Sequence, residues 1–222
     1  MKSPHFSLVV CALVLTPCCV IAATTLDYNN MVVNTVIPDN NNSGLVSIIA
    51  VAGSGQTVTS VEVVITTQNG WNGDMYAYLE HNGVISVLLN RPGRTPANPA
   101  GAASSGMQIR FADSALADIH TAISGTYGEL ATGTYQPDGR SANPASVTDA
   151  SPRNLFLSGF TGQNADGDWT LFVADLSDGE VATLGNWSLS VTTVPEPGVS
   201  LLGGLGVLTL LRRRRVRARS VC

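Results

Sequence analysis

Between residues 24 and 194 apolar side chains recur at every second position in short runs, and nowhere sustain the i, i+3, i+4, i+7 spacing of an amphipathic helix. In the run 58–66, Val61, Val63 and Ile65 fall on one face and Ser60, Glu62 and Val64 on the other. In 74–80, Met75, Ala77 and Leu79 oppose Tyr76, Tyr78 and Glu80. Residues 44–52, 84–89, 107–111, 154–160, 169–175 and 184–192 are equally short and β-prone, bounded by Gly, Asn, Asp, Ser or Pro. Asn82-Gly83 predicts a hairpin between two of the runs, because both residues tolerate positive φ. A period of two gives each strand one face to bury and one to leave in water. About eight strands with no helix to cover them predict an all-β fold of two sheets packed face to face. Residues 112–122, with Leu116 and Ile119 three apart, are expected to form a turn or a single loop helix. Residues 93–105 and 133–153 read as Pro/Gly/Ser-rich loops.

The two ends obey other rules. Met1-Lys2, an apolar run from Phe6 to Ile21 and the small residues Ala22-Ala23 make a secretory signal peptide (1–23), with cleavage after Ala22 or Ala23. A lipoprotein signal at Cys18 or Cys19 is the alternative, and Pro17 is a poor match to the small residue it wants. At the far end, Pro195-Glu196-Pro197 precedes an uncharged run, 198–211, and then Arg212, Arg213, Arg214 and Arg215, with Arg217 and Arg219 behind them. As a helix that run spans roughly 20 Å, short of the ~30 Å hydrocarbon core, and Gly203, Gly204 and Gly206 weaken it further. Clustered arginines stay on the cytoplasmic side of a bilayer. A temporary anchor held for processing and a short permanent anchor both fit, the first better.

Setting the ends aside leaves one domain, 24–193, large enough for a sizeable core, and a tail, 194–219. All four cysteines (Cys11, Cys18, Cys19, Cys222) lie in the ends, so the domain has no disulfide. It keeps five arginines, no lysine and fifteen carboxylates, a net charge of −10. Such a surface repels phosphate backbones and argues against nucleic acid as a partner. The same charge suits divalent cations, or simply keeps an exported domain soluble.

The tail resembles the PEP-CTERM sorting signal of Gram-negative bacteria, matching Pro-Glu-Pro, the short apolar run and the arginine block in order. That resemblance implies an exosortase-type processing enzyme as partner, transient residence at the inner membrane, and association with exopolysaccharide at the cell surface or in the extracellular matrix. A second resemblance covers residues 36–193. Ile37-Pro38-Asp39 with Gly44, Val46 and Ser47 is similar to the opening strand of the P domain (Homo B domain) that follows the catalytic domain of kexin- and furin-like subtilases. So are Val61-x-Val63-x-Ile65 with Trp71-x-Gly73-Asp74, Arg91-x-Gly93, Gly167-Asp168-Trp169-Thr170-Leu171, and Leu184-x-x-Trp187-x-Leu189. Gln68 or Asn69 replaces a histidine common before the Gly-Asp turn, and Ala182 replaces a glycine. The resemblance implies a β-sandwich of jelly-roll topology and a role in stabilising or modulating a protease.

Serine-protease chemistry needs a serine activated by a histidine that an aspartate orients. The domain has two histidines, His81 in a predicted hairpin and His120 in a predicted loop, both expected to be solvated, and no Gly-x-Ser-x-Gly elbow. A non-enzyme is expected. Asp39, Asp74, Asp166, Asp168, Asp175 and Asp178 fall in or beside turns, where carboxylates and free carbonyls suit calcium, or where the carboxylates cap turns. The P-domain resemblance implies Asp39, Asp74 and Asp175 as calcium ligands. Trp169 and Trp187 are expected in the core. Trp71, with Tyr76 and Tyr78 nearby, is the candidate ligand contact on a carbohydrate platform. The expected function is that of an exported non-catalytic binding or structural module. The alternatives are an accessory P domain for a separate subtilisin-like protease, and, least favoured, a hydrolase built on an unrecognised carboxylate site.

Overall fold

The computed structural model describes residues 22–195. The expected signal helix, the apolar helix of the tail, Glu196, Pro197 and Arg212 to Arg215 lie outside the described residues. Among the described residues nine strands build the fold: β1 Thr24–Val36, β2 Leu45–Val51, β3 Gln56–Trp71, β4 Met75–His81, β5 Val84–Asn90, β6 Ser105–Phe111, β7 Ala131–Tyr135, β8 Gly167–Asp175 and β9 Thr183–Pro195. Helical structure among the described residues is limited to one turn, α1 Ile119–Ala122, and two 3-10 turns at Asn72–Asp74 and Leu157–Phe160. No helix among the described residues is long and apolar enough to cross a membrane.

The strands form a five-stranded sheet, β1-β9-β3-β6-β7, and a four-stranded sheet, β2-β8-β4-β5. All pairs are antiparallel except β6 with β7. With β7 set aside, the remaining eight strands pass between the sheets in the order of two interlocked Greek keys, which is a jelly roll. The expected all-β sandwich is therefore the observed one.

The alternation read from sequence sets the core. Val61, Val63 and Ile65 of β3 and Met75, Ala77 and Leu79 of β4 are buried, and they meet Trp169, Leu171 and Val173 of β8 and Trp187, Leu189 and Val191 of β9. Trp169 donates its Nε1–H to the Ala165 carbonyl at 3.0 Å, and Trp187 donates to Ser47 Oγ at 2.9 Å. Both tryptophans lie in the core, as expected.

Three segments differ from expectation. β1 is a strand that the two-residue period hides: its pairing with β9 shifts register between Tyr28 and Met31 and again between Val32 and Thr35, with Asn34 at φ 43°. Each bulge resets which face is inward. β7 has no apolar face, because only Ala131 of its five residues is buried. The run 154–160 is not a strand. The Asp113 carboxylate accepts from the backbone N–H of Leu157 (3.2 Å) and Ser158 (2.7 Å), which turns the chain into a 3-10 turn instead of a ladder. β9 also runs on to Pro195, paired with Gln56, so the sandwich takes in two residues, Val194 and Pro195, that sequence assigned to the tail.

Truncating Trp187 to Ala removes a fully buried side chain and strands the Ser47 hydroxyl. Urea unfolding should show a loss of about 3–5 kcal/mol.

Candidate functional site

Strand pairing gathers acidic residues at one end of the sandwich. The β4–β8 register places Met75 opposite Asp175, so the residue before β4, Asp74, lies beside the end of β8, and Leu176 donates its N–H to the Asp74 carbonyl at 3.0 Å. Asn41, beyond β1, donates to the Asp175 carbonyl at 2.9 Å, which draws in the turn carrying Asp39. Arg91 caps the hairpin at φ 50°, its N–H bonded to the Met75 carbonyl. Its guanidinium spans the cluster: Nε to the Gly73 carbonyl (3.1 Å), and Nη2 to both Asp74 Oδ1 (3.0 Å) and Ser177 Oγ (2.7 Å).

Charge compensation here is incomplete. Asp175 is 1% exposed, and its Oδ2 has no hydrogen-bond partner; the same holds for the buried Oδ1 of Asp39. Burial pushes the Asp175 carboxyl up to about 6, with Asp74 and Asp39 adding repulsion against a long bond from Ser177 N–H (3.5 Å). Burial also raises Asp74, opposed by the Ser177 hydroxyl and Arg91. Two orphaned, buried, anionic oxygens fit the oxygen-only chemistry of calcium. Among the described residues no three His, Cys, Asp or Glu side chains are gathered closely enough to hold a metal by themselves. A calcium ion here would draw on Asp39, Asp175 and backbone carbonyls, with Asp74 already engaged by Arg91.

One other turn carboxylate is spoken for. Asp166 accepts from the Ser54 hydroxyl (2.6 Å), Ser54 N–H (2.8 Å) and Gly55 N–H (3.0 Å), which hold its carboxyl below the usual range, the hydroxyl contributing most. This is the turn-capping role.

Both histidines depart from expectation, being fully buried. His81 stacks on Trp169 at 3.9 Å between centroids, with Nδ1 facing the Asp168 carbonyl and Nε2 facing the Asn164 carbonyl. His120 bonds Asp138 Oδ2 through Nδ1 (2.7 Å) and the Arg94 carbonyl through Nε2 (2.9 Å). Hairpin and loop positions suggested solvent; each ring is instead roofed by a neighbouring segment. No serine hydroxyl is hydrogen-bonded to either ring among the described residues. Asp138 also accepts from Arg140, which is 2% exposed and bonded to Asp118 (2.9 Å). That network was invisible in sequence, because its members lie in loops whose contacts no periodicity reports.

Trp71 is exposed, as a ligand contact requires, but its neighbour differs from the one expected. Tyr76 and Tyr78 belong to the outer face of the four-stranded sheet, where Tyr78 stacks on Phe172 at 4.8 Å. The ring against Trp71 is Tyr127, edge-to-face at 6.3 Å. Trp71 terminates β3, one residue past a left-handed Asn69-Gly70 pair that lifts its side chain off the sheet's alternation.

Fold and site together define an acidic jelly-roll sandwich with buried, uncompensated carboxylates at one end. Residues 124–191, from ahead of β7 to within β9, match the sequence model of the proprotein convertase P-domain, a narrower span than the resemblance covering 36–193. Among solved structures, the chain is similar to the serine protease of Aeromonas sobria, both alone and in complex with its chaperone. Each comparison gives 17% identity and a TM-score of 0.44, covering 78% of this chain and 27% of that chain. The chain therefore spans about a quarter of the protease's length. No curated protein matches.

An acid raised in the folded state binds its proton more tightly there than in the unfolded chain, so stability is highest with Asp175 protonated and falls as pH rises. In EDTA, the melting temperature should decline between pH 4 and pH 6, the window set by Asp175. Asp175→Asn should flatten that decline and melt above the wild type at pH 7.5.

Proposed function

We propose that the chain is an exported, non-catalytic binding or structural module, carried to the envelope by the signal peptide and sorted through the PEP-CTERM-like tail by an exosortase-type enzyme, to act at the cell surface or in the exopolysaccharide matrix of a Gram-negative bacterium. The observation that carries the non-catalytic part is the engagement of both imidazoles, each held on both nitrogens by carbonyl or carboxylate oxygens. A histidine so committed has no free nitrogen with which to activate a serine. The absence of cysteine from residues 22–195 supports a domain that folds without oxidative help, wherever it is delivered.

A second reading is supported by the match of residues 124–191 to the P-domain model: accessory action on a separate subtilisin-like protease. Co-purification from the native host separates the two, since a protease retained through gel filtration favours the accessory role. In either reading calcium is the proposed ion, held between Asp39 and Asp175.

Intact mass spectrometry of the mature protein tests the sorting proposal. The expected product begins at Ala23 or Thr24 and lacks Arg212 to Arg215. A cytosolic chain retaining both Met1 and the arginine cluster would overturn it. Calcium added after EDTA at pH 7.5 should raise the melting temperature of the wild type and leave Asp175→Asn unmoved; an unmoved wild type removes the ion.

A further inference from the structure

Of the aromatic side chains among the described residues, Trp71 (39% exposed) and Tyr127 (53% exposed) are the most exposed, and they touch each other. Large rings left out of a core normally mark a contact surface, because they offer broad, rigid area at little cost in side-chain freedom. These two wall a cleft of about 330 Å³ whose floor is the small-residue run 100–103, with Asn98 and Ser124 at its margin. We propose that this cleft binds a neutral sugar residue of a polysaccharide, a ligand class that deepens, and rests on, the reading of the chain as a binding module.

Three observations select that ligand. A pyranose has an apolar face of C–H groups and a rim of hydroxyls, which suits exposed aromatic rings beside an amide and a serine hydroxyl. No charged side chain lines the cleft, while the domain as a whole carries a net charge of −10, so uronate or sulfated polymers are repelled. The volume sits at the lower end for ligand pockets, enough for about one or two hexose rings.

The cleft is also built rather than incidental. Gly73 donates its N–H to the Ala102 carbonyl (2.9 Å), Ala102 to Pro92 (2.7 Å) and Ser104 to Ser124 (3.0 Å), which pins the floor to the end of β3 and to the segment carrying Tyr127. Asn98 Nδ2 holds the Gly101 carbonyl at 2.8 Å. A Cβ on Gly73 would lie 2.5 Å from the Ala100 carbonyl oxygen, so the floor comes as close to the strand end as backbone can. The nearby Glu180 carboxylate raises the pKa of the Tyr127 phenol. A site ordered before binding loses less entropy when it is filled.

Affinity electrophoresis of the full-length protein through gels carrying a neutral glucan, a galactomannan or alginate tests the proposal, with a neutral-oligosaccharide array beside it. Retardation by a neutral polymer and not by alginate is expected. Trp71→Ala and Tyr127→Ala should each weaken it roughly tenfold, the scale of one aromatic contact. Trp71→Phe should keep part of the binding, and all three should melt as the wild type does. Three results would overturn the assignment: a blank array with no retardation, preference for alginate, or equal retardation of the alanine variants. Should binding fail while the mature protein is still trimmed at both ends, the cleft is wrong and the sorting proposal stands; the reverse pattern faults sorting and leaves the cleft.

Discussion

The sandwich depends on the pairing of its last strand with its third. β9 lies between β1 and β3, paired along β3 from Gln56–Pro195 to Gln68–Thr183. It also supplies Trp187, Leu189 and Val191 to the core. Until β9 arrives, β1 has no partner and β3 has a bare edge, so the five-stranded sheet is two fragments. Closing it joins residues more than a hundred positions apart, a loop-closure cost that local contacts do not offset. The fold is therefore completed only by residues beyond about position 183, late in the chain.

The long loops are organised by ions as well as by apolar contacts such as those of Ile119 and Ile123. Asp138 is fully buried and accepts from His120, from Arg140 and from the backbone of Asn90. Arg153 closes the arrangement through the Asp138 and Pro137 carbonyls. With no cysteine in the domain, this network ties residues 118 to 153 to the end of β5. Buried charges are costly unless every lone pair and proton is used, and here nearly all are. The contrast lies at the acidic end, where Asp39 and Asp175 each leave an oxygen unanswered. One cluster is finished by the protein itself; the other has the valence to accept something from outside.

How much of this was legible in the sequence follows from what periodicity reports. β3 and β4 were readable because their inward residues hold strict alternation, and the core tryptophans because they sit inside such runs. β1 was not, since its two bulges reset the alternation. Residues 154–160 misled because apolar content cannot reveal that Asp113, 44 residues before Leu157, captures the N–H groups of Leu157 and Ser158. Asp39, Asp74 and Asp175 were named through a family resemblance, and strand register does bring them into one electrostatic neighbourhood. Tyr127 was missed altogether: it lies in a loop with no pattern, and only tertiary structure lays it against Trp71.

The extension of β9 to Pro195 has a mechanical meaning. Traction on the chain from its C-terminal side enters the fold along the axis of a strand hydrogen-bonded on both flanks, to β1 and to β3. Such a load is shared by many bonds at once, as in shear, instead of parting them one after another, as in unzipping. Whatever holds this protein by that end grips a strand bonded along both its edges.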